Sequence, residues 1–359
     1  MFKVTIAVLV TMLMGLFGLG SLGQKDVSSP VAEAPSTSNQ TSPQQNPWTN
    51  GGFFPNQNGS STPASLADAK ESTGVVLLNV TVDWGLGEAA GTGLVIDPSG
   101  DVVTNHHVVA GSTAIIATDP ATGKTYDASV VGYDASDDVA VIKLAGASGL
   151  ATITPITTVP RVGASITAVG NAEGAGQLTA ASGQVRDTGA SITVTDDFGS
   201  QEYLTNLVEM SANIVPGDSG GAVLNALNQT IAMNVAGSED SRVVDTYAIP
   251  MSTVLADAVA IVDGPASSTI TLGRTAGLGV TVDDSFVVNG VVRGGAADQV
   301  GITVGSTITG MDGQAIRSQQ DLATILAGLK PQDKVAVKWT DEAGTAHQAT
   351  VTLQEAPLA

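Results

Sequence analysis

Residues 216–221 read Pro216-Gly217-Asp218-Ser219-Gly220-Gly221, and they lie between two apolar, strand-like runs. Glycines on either side of a serine let the backbone come close to whatever the hydroxyl touches. Acyl transfer needs that arrangement: a hydroxyl nucleophile, with backbone N–H donors beside it aimed at the oxygen that becomes negative. Ser219 is therefore a candidate nucleophile, and the amides of Gly217 and Ser219 are candidate oxyanion donors. Taken alone, the hexapeptide also reads as an ordinary glycine-rich turn.

A serine hydroxyl is inert at neutral pH without a base, and histidine is the usual one. The chain has 3 histidines. His347 lies at the edge of the last strand of a separate C-terminal module, which leaves His106 and His107. Both occur in Val102-Val103-Thr104-Asn105-His106-His107-Val108-Val109, where a strand gives way to a turn that can present a side chain to a cleft. One of the pair is expected to be a surface imidazole, and the residues favour His106 for that. A carboxylate must then fix the imidazole tautomer. Asp134, Asp137 and Asp138 precede the apolar strand Val139-Ala140-Val141-Ile142. Asp138 adjoins the strand directly, whereas Asp134 and Asp137 read as solvated turn residues.

Around these segments the chain is built from short apolar or alternating runs: 74–82, 93–96, 102–104, 138–144, 165–169, 183–186, 191–194, 222–224, 230–235 and 246–249. Gly, Asp-Pro and Asn turns separate them, and the run ends near Val262. Charged residues make up 13% of the sequence and aromatics 4%, which suits strands and tight turns better than long charged helices. The fold class expected is mainly β, as barrels or sandwiches. Beyond Gly264 the pattern becomes mixed α/β, with one helix marked by Ser318 and Asp321 as a capping box and by Leu322, Ile325, Leu326 and Leu329 at helical spacing.

The 14 basic residues against 34 acidic give a net charge of −20, which repels phosphate backbones and excludes nucleic acid as a partner. With 0 cysteines there are no disulfides, cysteine nucleophiles or thiolate metal sites. Residues 4–22 are almost wholly apolar after Lys3 and long enough for a membrane helix, so residues 1–23 read as either a removed signal peptide or a retained anchor. Either reading exports the rest of the chain. Residues 24–66 are rich in Ser, Thr, Pro, Asn and Gln and read as a disordered linker.

The order His, Asp, Ser in these contexts resembles trypsin-type peptidases, and in particular the HtrA (Deg) family of bacterial quality-control proteases carrying a PDZ domain. Gly91-Thr92-Gly93, Thr104-Asn105-His106-His107-Val108, residues 134–141, residues 216–221 and Tyr247-Ala248-Ile249-Pro250 carry the resemblance. It selects His107 and Asp138 as partners of Ser219. It implies a trypsin-like double barrel over residues 67–264 and a PDZ domain over 268–356. It further implies an acyl-enzyme route needing no metal or cofactor, unfolded or damaged exported polypeptides as substrates, and a possible homotrimer. An inactive chaperone or scaffold working through its PDZ domain is the alternative. An esterase would need the order Ser, Asp, His.

Some positions depart from the family's pattern. Asp218 stands where the family usually has Asn, and no Arg or Lys precedes an Ile-Val-Gly-Gly start, so Asp218 is expected to be a structural acid satisfied by nearby backbone. Six residues before the nucleophile, Asn213 takes the place of a pocket-floor carboxylate. A basic P1 side chain would then bury an unpaired charge, so a pocket of Asn213, Ile214, Val235 and Ala236 is expected to prefer small or medium apolar residues. In the C-terminal module, Gly277-Leu278-Gly279-Val280 occupies the place of a PDZ carboxylate-binding loop, whose N–H groups would receive a peptide C-terminus.

Overall fold

Val75–Val82 (β1) is apolar at nearly every position because both of its faces are covered: Val76, Leu78 and Val80 enter one core, Val75 and Leu77 another. The computed structural model describes residues 5–7, 64–82, 87–195, 201–237, 246–283 and 285–358. After β1 come Gly87–Asp97 (β2), Asp101–Thr104 (β3), a short helix His106–Val109 (α1), Ser112–Asp119 (β4), Lys124–Asp134 (β5) and Val139–Leu144 (β6). Their antiparallel order β5-β4-β1-β2-β3-β6 is closed into a barrel by pairing between β5 and β6. A second barrel uses Ser165–Gly170 (β7), Thr179–Thr195 (β8), Gln201–Met210 (β9), Ala222–Leu224 (β10), Thr230–Gly237 (β11) and Thr246–Pro250 (β12), closed by pairing of β7 with β8.

Each barrel has its own interior, and a third core lies between them. Val139 and Val141 on β6 meet Val169, Met233 and Val235 of the second barrel there, while Ala140, Ile142 and Leu144 turn into the first barrel. Period-2 alternation thus explains why β6 has almost no polar residue: both directions lead into apolar surroundings.

Some expectations need correcting. The β-rich run was expected to reach about Val262, yet Met251–Asp263 is a helix (α2), with Met251, Val254, Ala258 and Ile261 buried in the inter-barrel core. Residues 183–186 and 191–194, read as separate strands, belong to the single strand β8, which bends through register shifts between Val185 and Ile192. Strands β4, β5 and β9 were not anticipated, because Thr, Ala, Asp and Lys dilute the alternation of β4 and β5, and Gln, Glu, Thr and Asn that of β9. Of the apolar N-terminal segment only Thr5–Ala7 is described, as a strand parallel to Thr193–Thr195; the rest of residues 1–23 lies outside the described residues, as do residues 24–63 of the expected linker. No helix among the described residues is long and apolar enough to cross a membrane. Ser65–Leu66, read as linker, pairs with Thr179–Ala180.

The C-terminal module begins as an extension of the first barrel. Ile270–Leu272 (β13) pairs with Gly132–Asp134 of β5. Then follow Ala276–Gly277 (β14), Val280–Val282 (β15), Val288–Val291 (β16), Thr307–Met311 (β17), Gln314–Ala315 (β18), Gln319–Ala327 (α3), Lys334–Thr340 (β19), Ala346–Thr352 (β20) and Gln354–Glu355 (β21). Ser318 caps α3 as the sequence predicts, its Oγ accepting from Asp321 N–H (3.1 Å), whereas Asp321 Oδ2 accepts from Arg317 N–H (2.9 Å), one residue before the cap. Leu322 and Ile325 seat α3 on a core of Val288, Ile308, Val337 and Trp339.

The module also returns to the first barrel. Leu358, 4% exposed, enters that barrel's core beside Val108 and Val109, and its C=O accepts from Gly111 N–H (2.7 Å). Next to it the Arg274 guanidinium donates to the Ser112 carbonyl and to Ser112 Oγ, and pairs with Glu355 at 3.3 Å. Burial pushes the guanidinium below its ordinary pKa, partly offset by Glu355. Glu355 is 60% exposed, so removing Arg274 strands the buried Ser112 hydroxyl, while the Ser112 carbonyl keeps its bond from Leu358 N–H (3.3 Å), and no buried unpaired charge is left. Arg274→Ala is therefore expected to cost about 1–3 kcal/mol, less than the loss of a fully buried ion pair. Urea unfolding of the full chain checks this, and an unchanged midpoint would show that the contact is idle.

Candidate active site

The first barrel supplies the candidate base and its carboxylate as one stitched unit. His107 Nδ1 lies 2.8 Å from Asp138 Oδ2, and His107 N–H donates to Asp138 Oδ1 (2.9 Å). Asp138, with its side chain 1% exposed, takes a left-handed backbone conformation at φ 53°. That conformation disfavours side chains, so surrounding bonds must hold it. Asn105 Nδ2 (3.1 Å) and His106 N–H (3.3 Å) both donate to the Asp138 carbonyl.

His106 is not a surface imidazole. It is 5% exposed and stacks on Tyr133, with ring centroids 4.5 Å apart. Successive residues of a helical turn point about 100° apart, so when His107 faces the cleft His106 is driven into the barrel wall. Asp134 and Asp137 are likewise not solvated turn residues. Asp134 is 3% exposed and accepts from Ser136 N–H (2.9 Å) and Ser136 Oγ (2.5 Å), while Asp137 is half-buried. Carboxylate oxygens of Asp134, Asp137 and Asp257 gather within 4.8 Å of one another, a group able to share a proton or hold a cation. Burial, then Asp137 and Asp134, push Asp257 up to about 7.

The loop that carries Ser219, the candidate nucleophile, comes from the second barrel, between residues 215 and 221. Ser219 C=O accepts from Thr92 N–H (2.9 Å), and Gly220 lies directly against Thr92 O and Thr104 Oγ1, just ahead of the histidines. Gly220 has φ 81°, and a Cβ there would run into the Thr92 carbonyl. No other residue fits. Every carbonyl from Pro216 to Ser219 is engaged: Pro216 by Glu173 N–H (2.6 Å), Gly217 by Thr92 Oγ1 (2.8 Å), Asp218 by Gly221 N–H (3.0 Å) and Ser219 by Thr92 N–H (2.9 Å). Because N–H and C=O oppose each other across a planar peptide, the Gly217 and Ser219 N–H groups are turned away from those anchors. Neither donates to an acceptor among the described residues. The Ser219 hydroxyl donates to the Val235 carbonyl (3.0 Å), so a bond to the imidazole requires the hydroxyl to turn away from that carbonyl.

Of the expected pocket residues, Asn213 is half-buried, Ile214 lies in the second barrel's interior, and Val235 lies in the inter-barrel core. Val235 therefore contributes its carbonyl, not its side chain, to the cleft. Ala236 is on β11, where its side chain lies outside the described residues. In the C-terminal module, Leu278 C=O accepts from Ala297 N–H (2.9 Å) and Gly279 C=O from Val292 N–H (2.9 Å). The N–H groups of Gly279 and Val280 consequently point the opposite way, while Gly277 pairs with Gln354. Sequence reasoning gave no role to Thr92 or Gln354, whose partners lie far away in the chain.

Comparison with known proteins agrees with this geometry. The family described as "Trypsin-like peptidase domain" matches residues 91–233, and the PDZ domain family matches residues 267–339. Serine endoprotease DegS of Escherichia coli (strain K12) is 30% identical over 74% of this chain and 77% of its own length. Serine protease PepD of Mycobacterium tuberculosis is 29% identical over 80% of this chain and 65% of its own length. A probable periplasmic serine endoprotease, DegP-like, of Brucella suis is 30% identical over 69% of this chain and 49% of its own length. The chain thus spans between about half and two thirds of the length of the first curated relatives it matches. It belongs to the HtrA-type serine proteases, with a trypsin-like domain followed by a PDZ domain.

Asp218 is 6% exposed; its Oδ2 accepts from Val215 N–H (3.0 Å), while its Oδ1 is buried without a partner among the described residues. The expected backbone satisfaction is therefore only half met. Burial raises its pKa from 3.8 to about 6; the Val215 bond opposes the rise, and Glu173 adds to it. A raised carboxyl contributes stability below its unfolded pKa and loses it as pH rises through the folded pKa, here from about 4 to about 6. Asp218→Asn keeps the shape and cannot ionise. It is expected to be more stable than the natural protein at pH 7.5, by up to about 3 kcal/mol, with the gain vanishing near pH 4. Urea unfolding at both pH values checks this, and an equal difference at the two would contradict it.

Proposed function

We propose that the protein is a serine endopeptidase in which Ser219 is the nucleophile, His107 the general base and acid, and Asp138 the carboxylate that orients the imidazole. The observation that carries this reading is the pair of N–H groups, of Gly217 and Ser219, left without an acceptor beside the hydroxyl. With Nδ1 held by Asp138, His107 Nε2 is the atom that takes the Ser219 proton as Oγ bonds to the scissile carbonyl carbon. The two amides receive the oxygen that becomes negative. The C–N bond then breaks and the proton passes to the leaving amine. Water repeats the sequence on the acyl-enzyme, releasing the acid and restoring the Ser219 hydroxyl.

Unfolded or damaged exported polypeptides suit this site as substrates, supported by the resemblance and by the periplasmic relative. The same resemblance supports an extracytoplasmic location, tethering or secretion through residues 1–23, and a homotrimer. Asn213 in place of a carboxylate supports non-basic P1 residues. Casein digestion by the full chain tests the reading. Ser219→Ala is expected to lose activity by at least about 10³-fold and to abolish fluorophosphonate labelling, with the products of the natural protein ending mainly in non-basic residues. A natural protein that neither labels nor cleaves would remove the proposal.

For the PDZ domain we infer binding of a peptide C-terminus, its carboxylate at the Gly279 and Val280 amides and its strand along β15, which pairs on its other side with β16. Amidating a bound peptide's C-terminus removes the charge those amides receive. Its affinity is expected to fall by at least about tenfold in a fluorescence polarisation titration, and equal binding of acid and amide would reject the mode.

A further inference from the structure

Thr92 lies on β2 of the first barrel, 0% exposed, and all of its polar groups are engaged. Its N–H donates to Ser219 C=O (2.9 Å), and its C=O accepts from the Thr104 hydroxyl (2.7 Å). Its own hydroxyl donates to Gly217 C=O (2.8 Å) and accepts from Asn171 N–H (2.9 Å). The first of these bonds is made by the backbone, whatever the side chain at position 92, and the second stays within the first barrel. The hydroxyl bonds are different, because they go to two separate loops of the other barrel.

Those two loops hold Gly217 from both sides. The Asn171 turn is closed by Gly174 N–H on Asn171 C=O (2.8 Å) and by Gly176 N–H on Asn171 Oδ1 (2.9 Å), and its Glu173 N–H grips Pro216 C=O (2.6 Å). Thr92 Oγ1 therefore anchors the peptide unit after Gly217 directly and the one before it through the turn. Gly217 needs such anchoring. It has φ 94°, and as a glycine it resists a flip of either neighbouring peptide less than any other residue.

We propose that Thr92 is a positioning residue of the peptidase site: its hydroxyl fixes the peptide units flanking Gly217, so that the Gly217 N–H faces the developing oxyanion. Because Thr92 comes from the first barrel, the oxyanion site on the second barrel is complete only when the barrels are in register. The proposal rests on the peptidase reading above. It gives the threonine methyl no part, which separates it from plain packing.

Full-length protein carrying Thr92→Val, which keeps the shape and removes the hydroxyl, is compared with Thr92→Ser, which keeps the hydroxyl. Thr104→Val serves as a control that loses an equally buried hydroxyl without touching Gly217. For Thr92→Val, kcat on a peptide substrate is expected to fall about 10- to 100-fold while KM moves less than about threefold, since the lost interaction serves the transition state. Thr92→Ser is expected to recover most of the loss, and Thr104→Val to lose markedly less. Amide hydrogen exchange over residues 216–220 is expected to speed up in Thr92→Val alone. Full kcat in Thr92→Val, no recovery in Thr92→Ser, or an equal loss in Thr104→Val overturns the proposal. If Thr92→Val does not fold, Thr92→Ala is judged by the same criteria. If the natural protein neither cleaves peptides nor takes a fluorophosphonate, the peptidase reading has failed by itself; unchanged exchange in Thr92→Val then rejects the role of Thr92 separately.

Discussion

Two barrels must meet with their polar groups in register, in a seam where an unmatched group costs as much as a lost hydrogen bond. That constraint governs the rest of the molecule. Thr92 and Asn171, 0% and 1% exposed, bridge the barrels: the Thr92 hydroxyl donates to Gly217 C=O and accepts from Asn171 N–H, and Thr92 N–H donates to Ser219 C=O, while the buried Thr104 and Asn234 brace the first and the second barrel from within. An apolar seam tolerates sliding by a fraction of an ångström; a seam of hydrogen bonds of about 3 Å does not. The apolar inter-barrel core supplies the area, and the polar bridges supply the register. The cleft residues inherit their precision from those bridges, since Ser219 and the histidine turn attach to the same short stretch of β2 and β3.

On the first barrel the same logic appears as local strain held by bonds. Asp138 adopts a left-handed conformation that its side chain disfavours, yet its carbonyl and carboxylate together accept from Asn105, His106 and the backbone N–H and Nδ1 of His107. Because the carboxylate and the backbone carbonyl both face α1, the imidazole and its partner move as one body. The nearby carboxyls of Asp134, Asp137 and Asp257 crowd the other side of the turn. Burial is the main cause that raises the pKa values of Asp137 and Asp257, and the like charges crowded beside them add to it.

The pattern of the chain made much of this legible, for identifiable reasons. The glycine-flanked Ser219, the histidine pair at a strand end and the Asp before Val139-Ala140-Val141-Ile142 are local signals, and local signals survive in sequence. The double-sided apolarity of β1 and β6 announced strands buried on both faces. What failed were statements about burial of polar residues. Nothing near His106 in the chain announces Tyr133, and nothing near Asp134 announces Asp257. Helix α2 was hidden because a Val- and Ala-rich run suits either period, although Met251, Val254, Ala258 and Ile261 carry a helical stripe once the helix is suspected. The second barrel's long strand was cut in two at the residues where bulges bend it.

Least legible was the way the PDZ domain is joined to the rest. A run such as Gly264–Ser268 suggests a loose connection, but β13 pairs with β5, Arg274 reaches Ser112, and Leu358 enters the first barrel's core. The Arg274–Ser112 contact spans 162 residues of sequence, and the bond between Leu358 and Gly111 spans more. They also converge on Gly111 and Ser112, immediately after α1, the helix that carries His107. On the PDZ side they start from β21, where Gln354 Oε1 accepts from Ala296 N–H (2.8 Å) beneath the 277–280 loop and the neighbouring Glu355 pairs with Arg274. The 277–280 loop and the helix that carries His107 are therefore linked through hydrogen bonds, one ion pair and one buried leucine, contacts that do not stretch gradually. Such a joint holds or breaks, and so the domain's position is set by the first barrel and not by the length of the linker.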